Sequence, residues 1–200
     1  MAKVIKFPAP APSPEKFGLQ RAKSKHGKPS PKQGQLNLFA GGKVIKLHQL
    51  THFDEALMLD DQGDRRTARK HYQRSIQQGE AVADSYCNLG ILESQEEHTT
   101  KAIDCFTQSL KVDPRHFESH YNLANLYAEV GNFALAKVHY EVSIEIEPTF
   151  PNSYFNLGLT LAMNKDFKGA VKILYRYKQL TPGEEHLTTN DLIEKLNDLQ

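Results

Sequence analysis

Apolar residues of alternating size recur along this chain at a fixed spacing of 34. Leu89-Gly90, Leu123-Ala124 and Leu157-Gly158 form one column. Ala68, Ala102, Ala136 and Ala170 form a second, and Tyr72, Phe106, Tyr140 and Leu174 a third. Pro114, Pro148 and Pro182 punctuate the chain at the same interval. Four columns sharing one period point to a repeated supersecondary unit, not to one irregular core. Past the last column, Leu192, Ile193, Leu196 and Leu199 form one apolar stripe at helical spacing. With Thr189 or Asn190 as its cap, this stretch predicts a helix over Thr188 to Gln200 that covers the end of the array.

The 34-residue period and its columns resemble the tetratricopeptide repeat over about three quarters of the chain. The resemblance implies an all-α fold, an α-solenoid of antiparallel helix pairs. It sets four repeats at 49–82, 83–116, 117–150 and 151–184, then a capping segment at 185–200. Each repeat would be a helix A followed by a helix B. Small residues at the eighth place (Ala56, Gly90, Ala124, Gly158) and Ala at the twentieth let the two helices approach. Larger residues there would overpack the contact by roughly 1–3 kcal/mol each. Gly131 suits a left-handed turn between A and B, and Pro148 stops a B helix.

The repeats depart unequally from the pattern. The third is nearest to it. The second has Glu93 where an aromatic is usual and Glu97 where the turn Gly is usual. The fourth has Lys165 in that turn. The first has Glu55 in place of the Leu and Glu80 in place of the Pro, as a degenerate terminal unit would.

In the family, A helices line a concave groove. Carried over to this sequence, the groove residues are Asn88 and Ile91 in the second repeat, Tyr121, Asn122 and Asn125 in the third, and Phe155, Asn156 and Leu159 in the fourth. Asn88, Asn122 and Asn156 make a ladder at repeat spacing. An amide both donates and accepts, so such a row can pair with the backbone of an extended peptide; it can equally bond its own or the next helix. Chaperone-tail receptors of the family capture a carboxylate with Lys and Arg. Here the corresponding places hold Cys87, Tyr121 and Phe155, which argues against that use. An apolar and acidic groove suits a basic or aromatic-bearing segment better.

Charge divides the chain in two. Residues 1–48 carry ten Lys/Arg and one acid, a net +9; residues 49–200 carry fifteen Lys/Arg and twenty-three acids, a net −8. The basic tail is rich in Pro, Lys, Ser and Gly and too poor in apolar surface to offset ordering entropy, so it is expected to be disordered. Within it, Gln35-Leu36-Asn37-Leu38-Phe39 resembles the pentapeptide by which bacterial replication and repair proteins dock on the sliding clamp. That resemblance implies that Leu36, Leu38 and Phe39 enter apolar pockets while Gln35 bonds at the edge. The alternative is a segment that folds back onto the repeats. Two near-copies, Lys3-Val4-Ile5-Lys6-Phe7 and Lys43-Val44-Ile45-Lys46-Leu47, have the alternation of an edge-pairing strand.

Chemistry is thin. No phosphate loop, HExxH or nucleophile elbow is present. Cys87 and Cys105 do not form a CxxC pair and read as reduced thiols near the core. The histidines lack a third ligand at metal spacing, and His116 and His120 read as surface residues. Arg65, Arg66, Arg69 and Lys70 read as a solvated basic face. No secretory signal or membrane span is evident, so the expected setting is the cytoplasm. The expectation is a non-enzymatic scaffold or adaptor, without cofactor or metal, that binds a protein or peptide partner in the groove. A second class is a DNA-replication or repair factor, recruited through the tail to the sliding clamp or to nucleic acid. Nucleic acid ranks below protein as a partner because the tail lacks interleaved aromatics.

Overall fold

The structure, a computed structural model, describes Ala22, residues 50–183 and residues 186–199. Apart from Ala22, the tail expected to be disordered, with the two Lys-Val-Ile-Lys segments and the docking peptide with Gln35, Leu36, Leu38 and Phe39, lies outside the described residues.

The described residues form helices and no strand. In chain order the helices are α1 (His52–Asp61), α2 (Arg65–Gln78), α3 (Val82–Gln95), α4 (Thr99–Val112), α5 (Phe117–Glu129), α6 (Phe133–Ile146), α7 (Pro151–Met163), α8 (Phe167–Leu180) and α9 (His186–Asn197). Each packs on its neighbour in sequence, most extensively within the pairs α1·α2, α3·α4, α5·α6 and α7·α8. The A helices also touch one another, α3 on α5 and α5 on α7. This is an α-solenoid of antiparallel helix pairs.

The size columns explain the pairing. Gly90 lies against Phe106 and Gly158 against Leu174, so closely that a Cβ at either would stand within 3 Å of the partner side chain. Ala56, Ala124, Tyr72 and Tyr140 are likewise buried. The A-to-B turns fall at Gly63, Glu97, Gly131 and Lys165, all with positive φ, so the turn keeps its left-handed shape even without glycine. Pro114, Pro148 and Pro182 each stand two residues beyond the end of a B helix. In the first repeat Glu80 replaces that Pro; its carboxylate accepts a hydrogen bond from the His52 N–H at 3.2 Å, tying the repeat's end to its start.

Between repeats the joint is polar. Ser75 bonds Ser85 (3.0 Å), Ser109 bonds Ser119 (2.7 Å) and Ser143 bonds Ser153 (2.6 Å), each from a B helix to the next A helix. All six serines are fully buried. A small hydroxyl pair lets the two backbones come close while each oxygen has a partner. At the end of the array, Leu192, Ile193 and Leu196 of α9 join the core formed with α5 to α8.

Candidate functional site

Helices α1, α3, α5 and α7 carry eight carboxylates (Asp54, Glu55, Asp60, Asp61, Asp84, Glu93, Glu118, Glu129) and no Lys or Arg. Helices α2, α4, α6 and α8 carry twelve Lys/Arg and three carboxylates. Lys and Arg thus lie on the B helices, chiefly α2 and α8, and the A-helix carboxylates lie on α1, α3 and α5; α7 carries no charge, and α6 carries one Lys and two Glu.

The asparagine column runs across this A-helix row. Asn156 Nδ2 donates to Tyr121 Oη (3.1 Å) and to Asn125 Oδ1 (3.0 Å). Asn125 Oδ1 also accepts from Tyr140 Oη at 2.5 Å. Asn122 Nδ2 reaches back to Cys87 Sγ at 3.7 Å. Each of these two asparagines thus points at the residue 35 places earlier, on the preceding A helix. For Asn88 that place is Phe53, a buried ring that cannot accept. Asn88 pairs instead with a main chain far from it in sequence. The Ala22 N–H donates to Asn88 Oδ1 (3.0 Å), and Asn88 Nδ2 donates to the Ala22 carbonyl (3.2 Å). Both Asn88 and Ala22 are buried.

The other expected groove residues divide by depth. Ile91, Tyr121, Asn122 and Asn125 are buried, whereas Phe155, Asn156 and Leu159 are half-buried. Tyr121 packs edge-on against Phe150 (5.1 Å between centroids) and Tyr140 (6.1 Å). Phe155 meets Tyr177 at 5.1 Å. Ring pairing of this kind fixes side chains that would otherwise lose rotamer freedom on binding.

Titration is shaped mainly by burial. The Cys87 thiol is pushed up to about 12 by desolvation, so it is a packing group and not a nucleophile. Burial also raises Cys105 and Tyr140. His139 is held down at about 4, first by burial and then by His120. The two rings meet Nδ1 to Nδ1 at 2.9 Å, and His120 Nε2 lies 3.1 Å from the Pro114 carbonyl. A carbonyl only accepts, so His120 carries its proton on Nε2 and its Nδ1 accepts from His139 Nδ1–H. His116 is buried, not on the surface: its Nδ1 accepts from the Ser119 N–H (3.2 Å) as the cap of α5, leaving Nε2–H for Asp84 (3.1 Å).

Among the described residues, two side-chain groups have metal-like composition. His52, Glu55 and His71 converge on the first repeat, with Glu55 Oε2 at 3.3 Å and 2.8 Å from the two rings. Glu93, Glu96 and His98 converge on the second, but Arg69 bonds both glutamates there and offsets part of their charge. Arg69 is therefore not part of a free basic face. It is the partner that lets Glu93 replace an aromatic inside the array. Glu55, likewise out of pattern, is met by His71.

Sequence reasoning missed the serine pairs and Ala22. The serines recur at spacing 34 (Ser75, Ser109, Ser143; Ser85, Ser119, Ser153) and could have been found as columns. Ala22 had no such signal.

Tetratricopeptide-repeat family models match residues 83–116, 105–137 and 139–172. A comparison with curated protein sequences returns no match. Among solved structures, MamA residues 41 to the end from Desulfovibrio magneticus RS-1 superposes with a TM-score of 0.60 at 16% identity, covering 74% of this chain and 92% of that one. The first repeat domain of Spaghetti (RPAP3), bound to the HSP90 peptide SRMEEVD, superposes with a TM-score of 0.54 at 20% identity, covering 58% and 90%. The same domain of human RPAP3 in solution gives 0.53 at 20% identity, covering 58% and 91%. The chain thus carries tetratricopeptide repeats between residues 83 and 172, and its fold is that of tetratricopeptide-repeat solenoids.

Proposed function

We propose that this protein is an interaction scaffold that holds an extended segment of a protein partner along its A-helix row. The observation that carries the reading is the charge-sorted row itself: four A helices without Lys or Arg, crossed by a column of asparagine amides and flanked by half-buried Phe155 and Leu159. Amides pair with main chain irrespective of sequence, half-buried apolar groups supply side-chain pockets, and the acids select for cations. In this reading half-buried Phe155, Asn156 and Leu159 meet the partner directly, and buried Asn88, Ile91, Tyr121, Asn122 and Asn125 form the floor of the site.

A structural neighbour binds a peptide, which supports the general mode. Its peptide, SRMEEVD, has three acids in its last four residues. The acidic A helices here favour the opposite charge. The reading is a binding protein and not an enzyme. Among the described residues no helix is long and apolar enough to cross a membrane.

The test is affinity for a partner captured with the full chain and measured by calorimetry. Phe155→Ala and Asn156→Ala should each weaken binding at least tenfold, and Lys172→Glu on a B helix should not. Loss confined to the B-helix variant would assign the partner to the opposite face and end the proposal.

A further inference from the structure

We propose that the basic segment of this chain around Ala22 is itself a ligand of the A-helix row, seated in cis on Asn88, and that an outside partner binds by displacing it. This rests on the reading of the A-helix row as a peptide-binding face and names its resident occupant.

Four observations converge. The first is the hydrogen-bond geometry. One side-chain amide satisfies both the N–H and the C=O of one residue, at 3.0 Å and 3.2 Å. Those two groups share an edge only in an extended backbone, so Asn88 grips Ala22 as it would grip a strand-like peptide. The second is the register. Asn122 and Asn156 reach polar atoms on the preceding A helix, whereas Phe53 offers Asn88 none. A buried amide with no partner costs roughly 1–3 kcal/mol, so the site at Asn88 is built to receive a main chain from elsewhere.

The third is packing. Ala22 is 1% exposed and belongs to the same apolar cluster as Cys87, Ile91, Leu123 and Leu126. A methyl fills the space, and a longer side chain at that place has nowhere to go. The fourth is charge. Ala22 stands between Arg21 and Lys23 in sequence, in a tail with a net charge of +9, while α3 and α5, whose residues pack on Ala22, carry four carboxylates and no Lys or Arg, two of the four being already paired with Arg69 and His116. An occupant of this site is therefore extended, with a small residue at the clamped position and cations on either side.

The tether makes cis docking feasible. Twenty-seven residues separate Ala22 from Leu50, a reach of up to about 90 Å when extended. A tether of this kind sets a local concentration on the order of millimolar, which excludes weak outside ligands and admits strong ones.

The experiment uses the full chain. Native-state hydrogen exchange should show the Ala22 amide slowed at least tenfold below its random-coil rate. Asn88→Ala should release it while the Ala136 amide in the third repeat stays protected. A labelled synthetic peptide of residues 17–27 should bind Ala22→Glu full-length protein at least tenfold tighter than wild type, because the resident segment is gone. Random-coil exchange at Ala22 in the wild type, or equal peptide affinity for wild type and Ala22→Glu, overturns the proposal. Protection that grows with protein concentration also overturns it, in favour of exchange between two copies. Exchange at Ala22 is read without any outside partner. Its failure leaves the scaffold reading standing, and a partner that binds on the B helices leaves the exchange result standing.

Discussion

A Cβ built on Gly90 would lie 2.7 Å from Cε1 of Phe106, inside the contact distance that real side chains keep. In an open helix, replacing glycine by alanine stabilises by about 1 kcal/mol. Here the ring is fully buried and has no free direction in which to yield. Gly90→Ala is therefore expected to destabilise, by about 1–2 kcal/mol after the helical gain is subtracted. Urea unfolding followed by far-UV circular dichroism measures it. A midpoint that rises would show that the ring repacks freely.

The buried hydroxyl pairs make a different prediction. Ser143 Oγ and Ser153 Oγ lie 2.6 Å apart with both residues fully buried. Removing one hydroxyl leaves the other without its partner, which should cost about 1–2 kcal/mol. Removing both leaves nothing unpaired. Ser143→Ala with Ser153→Ala should thus cost clearly less than the two single changes added together. Additive losses in the double-mutant cycle would mean that the pair is not coupled.

These two cases show which part of the fold was legible in the sequence. The Gly90 and Phe106 columns were, because small-against-large at a fixed interval is a hydrophobic pattern. The serine columns have the same period, but a polar residue in a helix carries no hydrophobic signal that would mark it as buried. The pairing of Glu93 with Arg69 was not readable, since it spans two repeats and depends on how α2 lies on α3. In the sequence the asparagine ladder is three equivalent residues. Asn88 differs from the others only through Phe53, 35 places earlier, and that offset emerges only from the inter-repeat register. Ala22 was beyond reach, as one alanine in a basic tail carries no periodic signal.

Lys165 occupies the left-handed turn of the fourth repeat with φ 65°, where Gly131 of the third has φ 79°. An L-residue pays about 1–2 kcal/mol for that backbone, and glycine pays up to about 1 kcal/mol in lost unfolded-state freedom. Lys165→Gly should therefore stabilise by up to about 1 kcal/mol. Gly131→Lys should destabilise by a similar amount, although open space surrounds its Cα. Paired thermal melts check both signs. A loss in Lys165→Gly would show that the lysine side chain contributes more than its backbone costs.

The His120–His139 pair gives the protein a pH dependence that can be read above the range where carboxylates titrate. His139 is held at about 4, first by burial and then by its neighbour, and His120 is also lowered, first by burial. Asp113 and the Pro114 carbonyl act on His120 in the opposite direction, but do not reverse the shift. Both folded-state values lie below the ordinary imidazole value of about 6.5, so the unfolded chain takes up protons first as pH falls. The stability contributed by the neutral pair is complete above about pH 6.5 and is lost progressively as pH drops towards 4. Both rings are half-buried, and solvent screening reduces the effect to the order of 1 kcal/mol. Urea midpoints at pH 7.5 and pH 5 should therefore differ in wild type, with the lower value at pH 5. His139→Gln removes the more strongly shifted group and should narrow that difference, even if it lowers both midpoints through the lost Nδ1 contact. A variant that keeps the full wild-type slope would place the pH sensitivity outside this pair.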